Sequence, residues 1–304
     1  MLSTVLVPLD GSTFAETALD FAVPLAFSAR ARIYLVMAKH PVTMLAGMGE
    51  TAGFLPDSDR ESDRESGEYL AGTVAKWGEV GDWPLQFRLA DGSAGEAICG
   101  EAGRVGADLI VMATHGRGAL GRLWLGSVAD YVVRHATRPV LLVHPGRDGT
   151  EALNRNGRTI LVALDQSEYS DAILDPVVDL ALATESKISL LTVVAPIFAP
   201  AEPAMPYPVP QHPAIVARRS DEAHSRLRRV AARLRRRGVS VSTRVVIGDS
   251  AAGAIVQVLR EARFDMVALT THGASGVRRL ILGSVAEKVI RMAEKPVLVL
   301  HPAL

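Results

Sequence analysis

The strongest constraint on what this chain can fold into is an internal duplication. The segment TVLVPLDGS from Thr4 returns as TILVALDQS from Thr159, and SAGEAI from Ser93 returns as SAAGAI from Ser250. Near the end of each half, THGRGALGRLWLGSVADYVVRHATRPVLLVHP from Thr114 matches THGASGVRRLILGSVAEKVIRMAEKPVLVLHP from Thr271. A repeat of about 145 residues is long enough to enclose its own core, so the period specifies two duplicated domains and excludes a solenoid of short units. The domains are expected at residues 1–146 and 159–304, with the polar stretch 147–158 as linker.

Within each half, short Val/Ile/Leu runs alternate with longer amphipathic stretches, the pattern of βαβ units around a buried parallel sheet. Strands are expected at 4–9, 32–38, 85–89, 108–113 and 140–144, and again at 159–164, 187–194, 240–247, 265–270 and 297–301. The fold class is therefore α/β: two tandem doubly wound domains, each a five-stranded parallel sheet with helices on both faces. Thr13 and Glu16 have capping-box spacing at the first helix, and Ser127 and Ser284 fall where the last helices should begin. The halves diverge after their second strands. The first carries a stretch ending in DSDRESDRES, read as flexible, and the second carries seven prolines from Pro196 to Pro213, which favour extended structure. The apolar last strands, PVLLVHP and PVLVLHP, are expected to pair their edges and join the two halves.

Composition narrows the function classes. Basic and acidic side chains balance at 33 each, but the first half is net acidic and the second net basic, too weak an imbalance to argue for nucleic acid. Cys99 is the one cysteine, so there is no intramolecular disulfide, no CxxC pair and no thiolate metal cage. Cys99 stands where the second half has Val256 and reads as core. The start, MLSTVLVPLDGS, has no basic segment before an apolar run, and no stretch approaches the roughly 18 apolar residues of a spanning helix. A cytoplasmic location with no membrane partner is expected. A helix expected over 214–237 holds nine arginines and an apolar stripe of Leu227, Val230, Ala231 and Leu234; with no aromatics between the arginines it reads as a surface helix packed on the sheet.

In a doubly wound sheet, ligands sit beyond the carboxyl ends of the strands where the winding reverses. Asp10 and Asp165 end first strands, His115-Gly116 and His272-Gly273 follow fourth strands, and Gly126-Ser127 and Gly283-Ser284 open the last helices. A helix start exposes unpaired N–H groups at the positive end of the dipole, which together suit a phosphate. One Gly-Ser alone is an ordinary turn and cap; the same arrangement twice favours a binding site.

With these residues the chain resembles the universal stress protein family, specifically its tandem-domain members. The loop of the family's ATP-binding subgroup reads G-x2-G-x9-G-[ST]. Gly116 and Gly273 align with its second glycine, and Gly126-Ser127 and Gly283-Ser284 complete it, whereas Ala113 and Thr270 replace its first glycine. The resemblance implies ATP as ligand, with Mg2+ carried on the phosphates. It places Asp10 and Asp165 by the adenosine, the backbone around Val36 and Val193 by the base, and Gly116, Gly126, Ser127, Val128, Gly273, Gly283, Ser284 and Val285 around the phosphates. His115 and His272 read as residues holding the loop, and the loop arginines Arg117, Arg122, Arg278 and Arg279 as solvated. No P-loop lysine, dinucleotide glycine motif or catalytic set recurs, so no catalytic residue is assigned. The expected function is a nucleotide-responsive stress signalling or protective module, with a homodimer and a protein partner implied by the resemblance. The alternatives are a nucleotide-independent interaction scaffold and a slow ATPase. Because the β-branched Thr270 obstructs more than Ala113, the first site is expected to bind more tightly.

Overall fold

The computed structural model describes residues 1–39, 56–78, 85–114, 125–144, 158–195, 213–261, 264–271 and 282–302. The chain forms two compact units, Leu2–Pro145 and Gly146–Leu304.

The first unit runs β1 (Thr4–Pro8), α1 (Thr13–Ala29), β2 (Arg32–Ala38), α2 (Pro56–Gly78), β3 (Leu85–Ala90), α3 (Ala94–Arg104), β4 (Leu109–Ala113), α4 (Ser127–His135) and β5 (Val140–Val143). Its strands are ordered β3-β2-β1-β4-β5 and every pairing is parallel. The second unit repeats the plan with β6 (Thr159–Ala163), α5 (Glu168–Asp171), α6 (Leu174–Ala183), β7 (Lys187–Val194), α7 (Pro213–Arg235), β8 (Val241–Ile247), α8 (Ala251–Glu261), β9 (Met266–Thr270), α9 (Ser284–Met292) and β10 (Val297–Leu300). Its order is β8-β7-β6-β9-β10, again parallel. Both units are doubly wound α/β folds. In each, the winding reverses between the first and fourth strands, so β1/β4 and β6/β9 are the switch points.

The strands lie within one residue of the expected positions. The reason is burial on both faces: β1, β4 and β5 are buried at every residue, which demands the unbroken apolar runs visible in the sequence. The apolar stripe expected of α7 is likewise buried at Leu227, Val230, Ala231 and Leu234.

Other local expectations are corrected. DSDRESDRES is not a flexible stretch but the first half of α2. Arg64 bridges Glu61 and Glu68 three and four residues away, and Leu70 and Thr73 are buried on the helix's inner face. The first helix is capped by Ser12, whose hydroxyl accepts from the Ala15 amide, rather than by a Thr13–Glu16 box. Glu16 instead accepts from the Tyr69 hydroxyl of α2 at 2.9 Å. In the second unit the equivalent helix is split into α5 and α6. Pro176 has no N–H to offer Ala172 and its ring would crowd that carbonyl, so a new helix begins at Leu174 with Pro176 in its first turn. Cys99 is half-buried rather than fully core, while its counterpart Val256 is buried. The linker, apart from Arg158, and the proline-rich segment before Pro213 lie outside the described residues. Among the described residues no helix is long and apolar enough to cross a membrane.

Candidate functional site

Each switch point opens into a cavity. The first, about 310 Å³, is lined by the ends of β1 and β4 (Asp10, Ala113, Thr114), by Val36 and Ala38 of β2, by Ala94 and Ile98 of α3, and by the start of α4. The second, about 240 Å³, is its duplicate, lined by Asp165, Val193, Thr270, Thr271, Ala251, Ile255 and the start of α9. The structure thus brings together Asp10, Val36, Ala113, Gly126, Ser127 and Val128 on one cavity and Asp165, Val193, Thr270, Gly283, Ser284 and Val285 on the other. His115, Gly116, His272 and Gly273, with the loop arginines, lie outside the described residues.

The carboxylates are held by the turn that follows them. One Asp10 oxygen accepts from the Ser12 amide at 2.9 Å and from the Ser12 hydroxyl, and Asp165 accepts from Ser167 in the same way. The Ser12 and Ser167 hydroxyls in turn cap the next helix. Each carboxylate is therefore fixed at the strand end by two local hydrogen bonds.

Opposite them, Gly126 and Gly283 are the N-caps of α4 and α9 and offer no side chain to the helix's first amides. The Gly126 amide donates to the Thr114 carbonyl at 2.9 Å and Gly283 to Thr271 at 2.8 Å, which pins each helix start against the end of the fourth strand. Among the described residues no capping side chain bonds the next N–H groups, and Ser127–Val128 and Ser284–Val285 lie on the cavity wall, the arrangement that receives an anionic oxygen. Serine is the first helical residue in both cases, not the cap that a lone Gly-Ser suggests. The Val36 carbonyl accepts from the Leu9 amide at 2.8 Å, so β2 is tied to the β1 end at this cavity.

Two features escaped the sequence reading although the repeat carried their signal. Thr114 and Thr271 line the cavities, and their hydroxyls meet the Nδ1 atoms of His144 and His301 at 3.3 and 3.0 Å. These are the Thr that opens and the penultimate His of the longest repeated segment. Ala94, Ile98, Ala251 and Ile255, from the repeated SAGEAI/SAAGAI, supply the apolar wall. In the first unit, burial and the Glu16 carboxylate raise the Tyr69 hydroxyl well above the ordinary tyrosine value, with Asp10 adding to the effect. Tyr69 therefore stays protonated and ties α2 to α1 within electrostatic reach of the Asp10 carboxylate.

Two doubly wound sheets, each with an uncapped helix start facing a strand-end carboxylate across a switch-point cavity, define a duplicated α/β protein with paired ligand-type clefts. The chain belongs to the universal stress protein family: the family's sequence profile, described as "Universal stress protein family", matches residues 1–144 and again 157–301. A universal stress protein of Mycolicibacterium smegmatis is 26% identical over 302 residues, covering 98% of this chain and 97% of that one. One from Thermus aquaticus is 36% identical over 143 residues, 47% of this chain but 99% of its own length. Against a universal stress protein of Mycobacterium bovis the identity is 30% over 197 residues, and the match spans 61% of that relative's length. The crystal structure of a universal stress protein from Archaeoglobus fulgidus superposes with a TM-score of 0.72 at 20% identity, covering 99% of this chain and 98% of that one, which establishes the shared fold.

Proposed function

We propose that each unit binds an adenine nucleotide, ATP, in its switch-point cavity, and that the chain acts as a nucleotide-responsive module in the stress response. The observation that supports this most is the duplicated pairing of an uncapped Gly-Ser helix start with a strand-end carboxylate. In the bound state the amides of residues 127–128 and 284–285 receive phosphate oxygens, together with the helix dipole. The carboxylates of Asp10 and Asp165, oriented by Ser12 and Ser167, accept from ribose hydroxyls. The base lies against the apolar wall near Val36 and Val193.

Mg2+ fits this reading as an ion carried by the ligand. Triphosphate oxygens and water would coordinate the ion, since Mg2+ keeps several waters and takes few protein ligands at such sites. The chain's own residues bind and orient the nucleotide. Denaturing the purified protein and identifying the released small molecules by mass tests the proposal. ATP or ADP is expected, and a protein that releases none and gives no heat on titration with ATP overturns it.

A further inference from the structure

The second helices of the two units, α2 and α7, are equivalent in the duplication and opposite in charge. α2 packs on β3 and α7 on β7 and β8, beside the outer strand at one edge of each unit's sheet. α2 carries six acidic and three basic residues. From Pro213 to Arg237 the α7 segment carries nine arginines, no lysine and two acids. Neither charge is a by-product of packing, because the inner faces are apolar: Leu70 on α2, and Ala223, Leu227, Val230, Ala231 and Leu234 on α7.

The outward faces are patterned. On α2, Glu61, Arg64, Glu65 and Glu68 follow one another at helical spacing and are exposed. On α7, Arg218, Glu222, Arg229 and Arg233 form an exposed row that continues into Arg236. Among the described residues no carboxylate lies within ion-pair distance of Arg228, Arg229 or Arg236, so this face carries positive charge the unit itself does not neutralise. Arginine rather than lysine marks a surface suited to bidentate contact with carboxylates, since the guanidinium is weakly hydrated and forked.

We propose that the basic face of α7 docks on the acidic face of α2 in a second copy of this chain. An antiparallel register sets Arg229 against Glu65 and Arg233 against Glu61, with Glu68 and Arg236 flanking the two pairs. A chain with zero net charge and halves of opposite sign has no long-range repulsion to oppose this. Single exposed ion pairs are weak, so affinity rests on the row and on low ionic strength.

Sedimentation velocity of the full chain at about 0.01 M and about 1 M salt, where the Debye length falls from about 30 Å to about 3 Å, tests this. Two triple variants accompany it, Glu61→Arg/Glu65→Arg/Glu68→Arg and Arg229→Glu/Arg233→Glu/Arg236→Glu, each checked for folding by circular dichroism. The wild type is expected to show an association step at low salt that disappears at high salt, whatever salt-resistant oligomer accompanies it. Each variant alone should lose about tenfold or more of that affinity, and an equimolar mixture of the two should regain it, because every reversed face then meets its opposite. A mass unchanged by salt, variants that associate like the wild type, or a mixture that fails to associate overturns the proposal. So does an arginine variant that loses only its binding to a single-stranded oligonucleotide probe, which would assign the face to polyanions.

Discussion

Gln166 adopts φ 75°, and the residue in the same turn of the first unit, Gly11, adopts φ 79°. The turn Asp-x-Ser that orients each site carboxylate needs this left-handed conformation at its centre, and a side chain there costs roughly 1–2 kcal/mol. Gln166→Gly is therefore expected to stabilise the second unit by about 0.5–1 kcal/mol, after allowing for glycine's greater freedom when unfolded, as read by chemical denaturation. A second exchange runs the other way. At Gly95 on α3 a Cβ would lie 2.3 Å from the Tyr131 ring and 3.0 Å from Tyr131 Cβ on α4, so the ring has no easy retreat. The second unit holds Ala252 and Lys288 at the equivalent positions. Gly95→Ala should cost about 1–3 kcal/mol through overpacking, and pairing it with Tyr131→Lys should recover most of that loss in a double-mutant cycle. Both exchanges are visible when the halves are aligned. Neither can be interpreted without the backbone angle or the ring's position, because a glycine in a loop and a glycine in a helix look alike in one dimension.

Among the elements, the strands were legible because burial on both faces leaves a continuous apolar run, as in LIVMA of β4 and VLLV of β5. The start of α2 was not, because a polar, highly charged run has the composition of a disordered segment. What makes it helical is the spacing of its charges and one inner face, signals weaker than the strand runs. The caps failed for a related reason: Ser12 and Thr13 are both good caps, and tertiary contact with Tyr69 diverts Glu16 from the box. Charge also separates the two third-position helices. On α3, Glu101 is 5% exposed and accepts from Arg104 at 2.9 Å, and Arg104 in turn reaches the Tyr34 hydroxyl, whereas α8 has Val258 at the equivalent point. The Arg104 hydrogen bonds, opposed by burial and assisted by the Tyr34 hydroxyl, hold the Glu101 carboxyl below its ordinary value. A carboxyl depressed in the folded state contributes stability above its unfolded value of 4.5 that is lost as pH falls below it. Glu101→Gln should thus destabilise the first unit by about 1–3 kcal/mol at neutral pH. Thermal melts across pH should show that difference shrinking below pH 4.5. On the same helix, burial pushes the Cys99 thiol up to about 11. It should therefore react slowly with thiol reagents at pH 7 in the folded protein and at the ordinary rate in denaturant.

For the molecule as a whole, duplication gives two clefts with one frame and unequal fittings. The first cavity, about 310 Å³, reaches the roughly 300 Å³ at which small-molecule sites begin, and the second, about 240 Å³, falls short of it. Ala113 adds a methyl group where Thr270 adds a branched side chain, at the end of the fourth strand in each unit. The sequence carried this inequality, the carboxylates and the Gly-Ser helix starts, since each lies in a repeated segment. It did not reveal the Thr–His contacts, which join residues thirty positions apart. If the clefts bind ATP as proposed, the first should bind more tightly, and a side chain at the helix start should block either. The most direct measurement is calorimetric titration of nucleotide-free protein with ATP and Mg2+, for the wild type, Gly126→Leu and Gly283→Leu. Two classes of site are predicted in the wild type, the tighter one removed by Gly126→Leu and the weaker one by Gly283→Leu. No binding by the wild type, or binding that both variants leave intact, would contradict the assignment of these cavities as nucleotide sites.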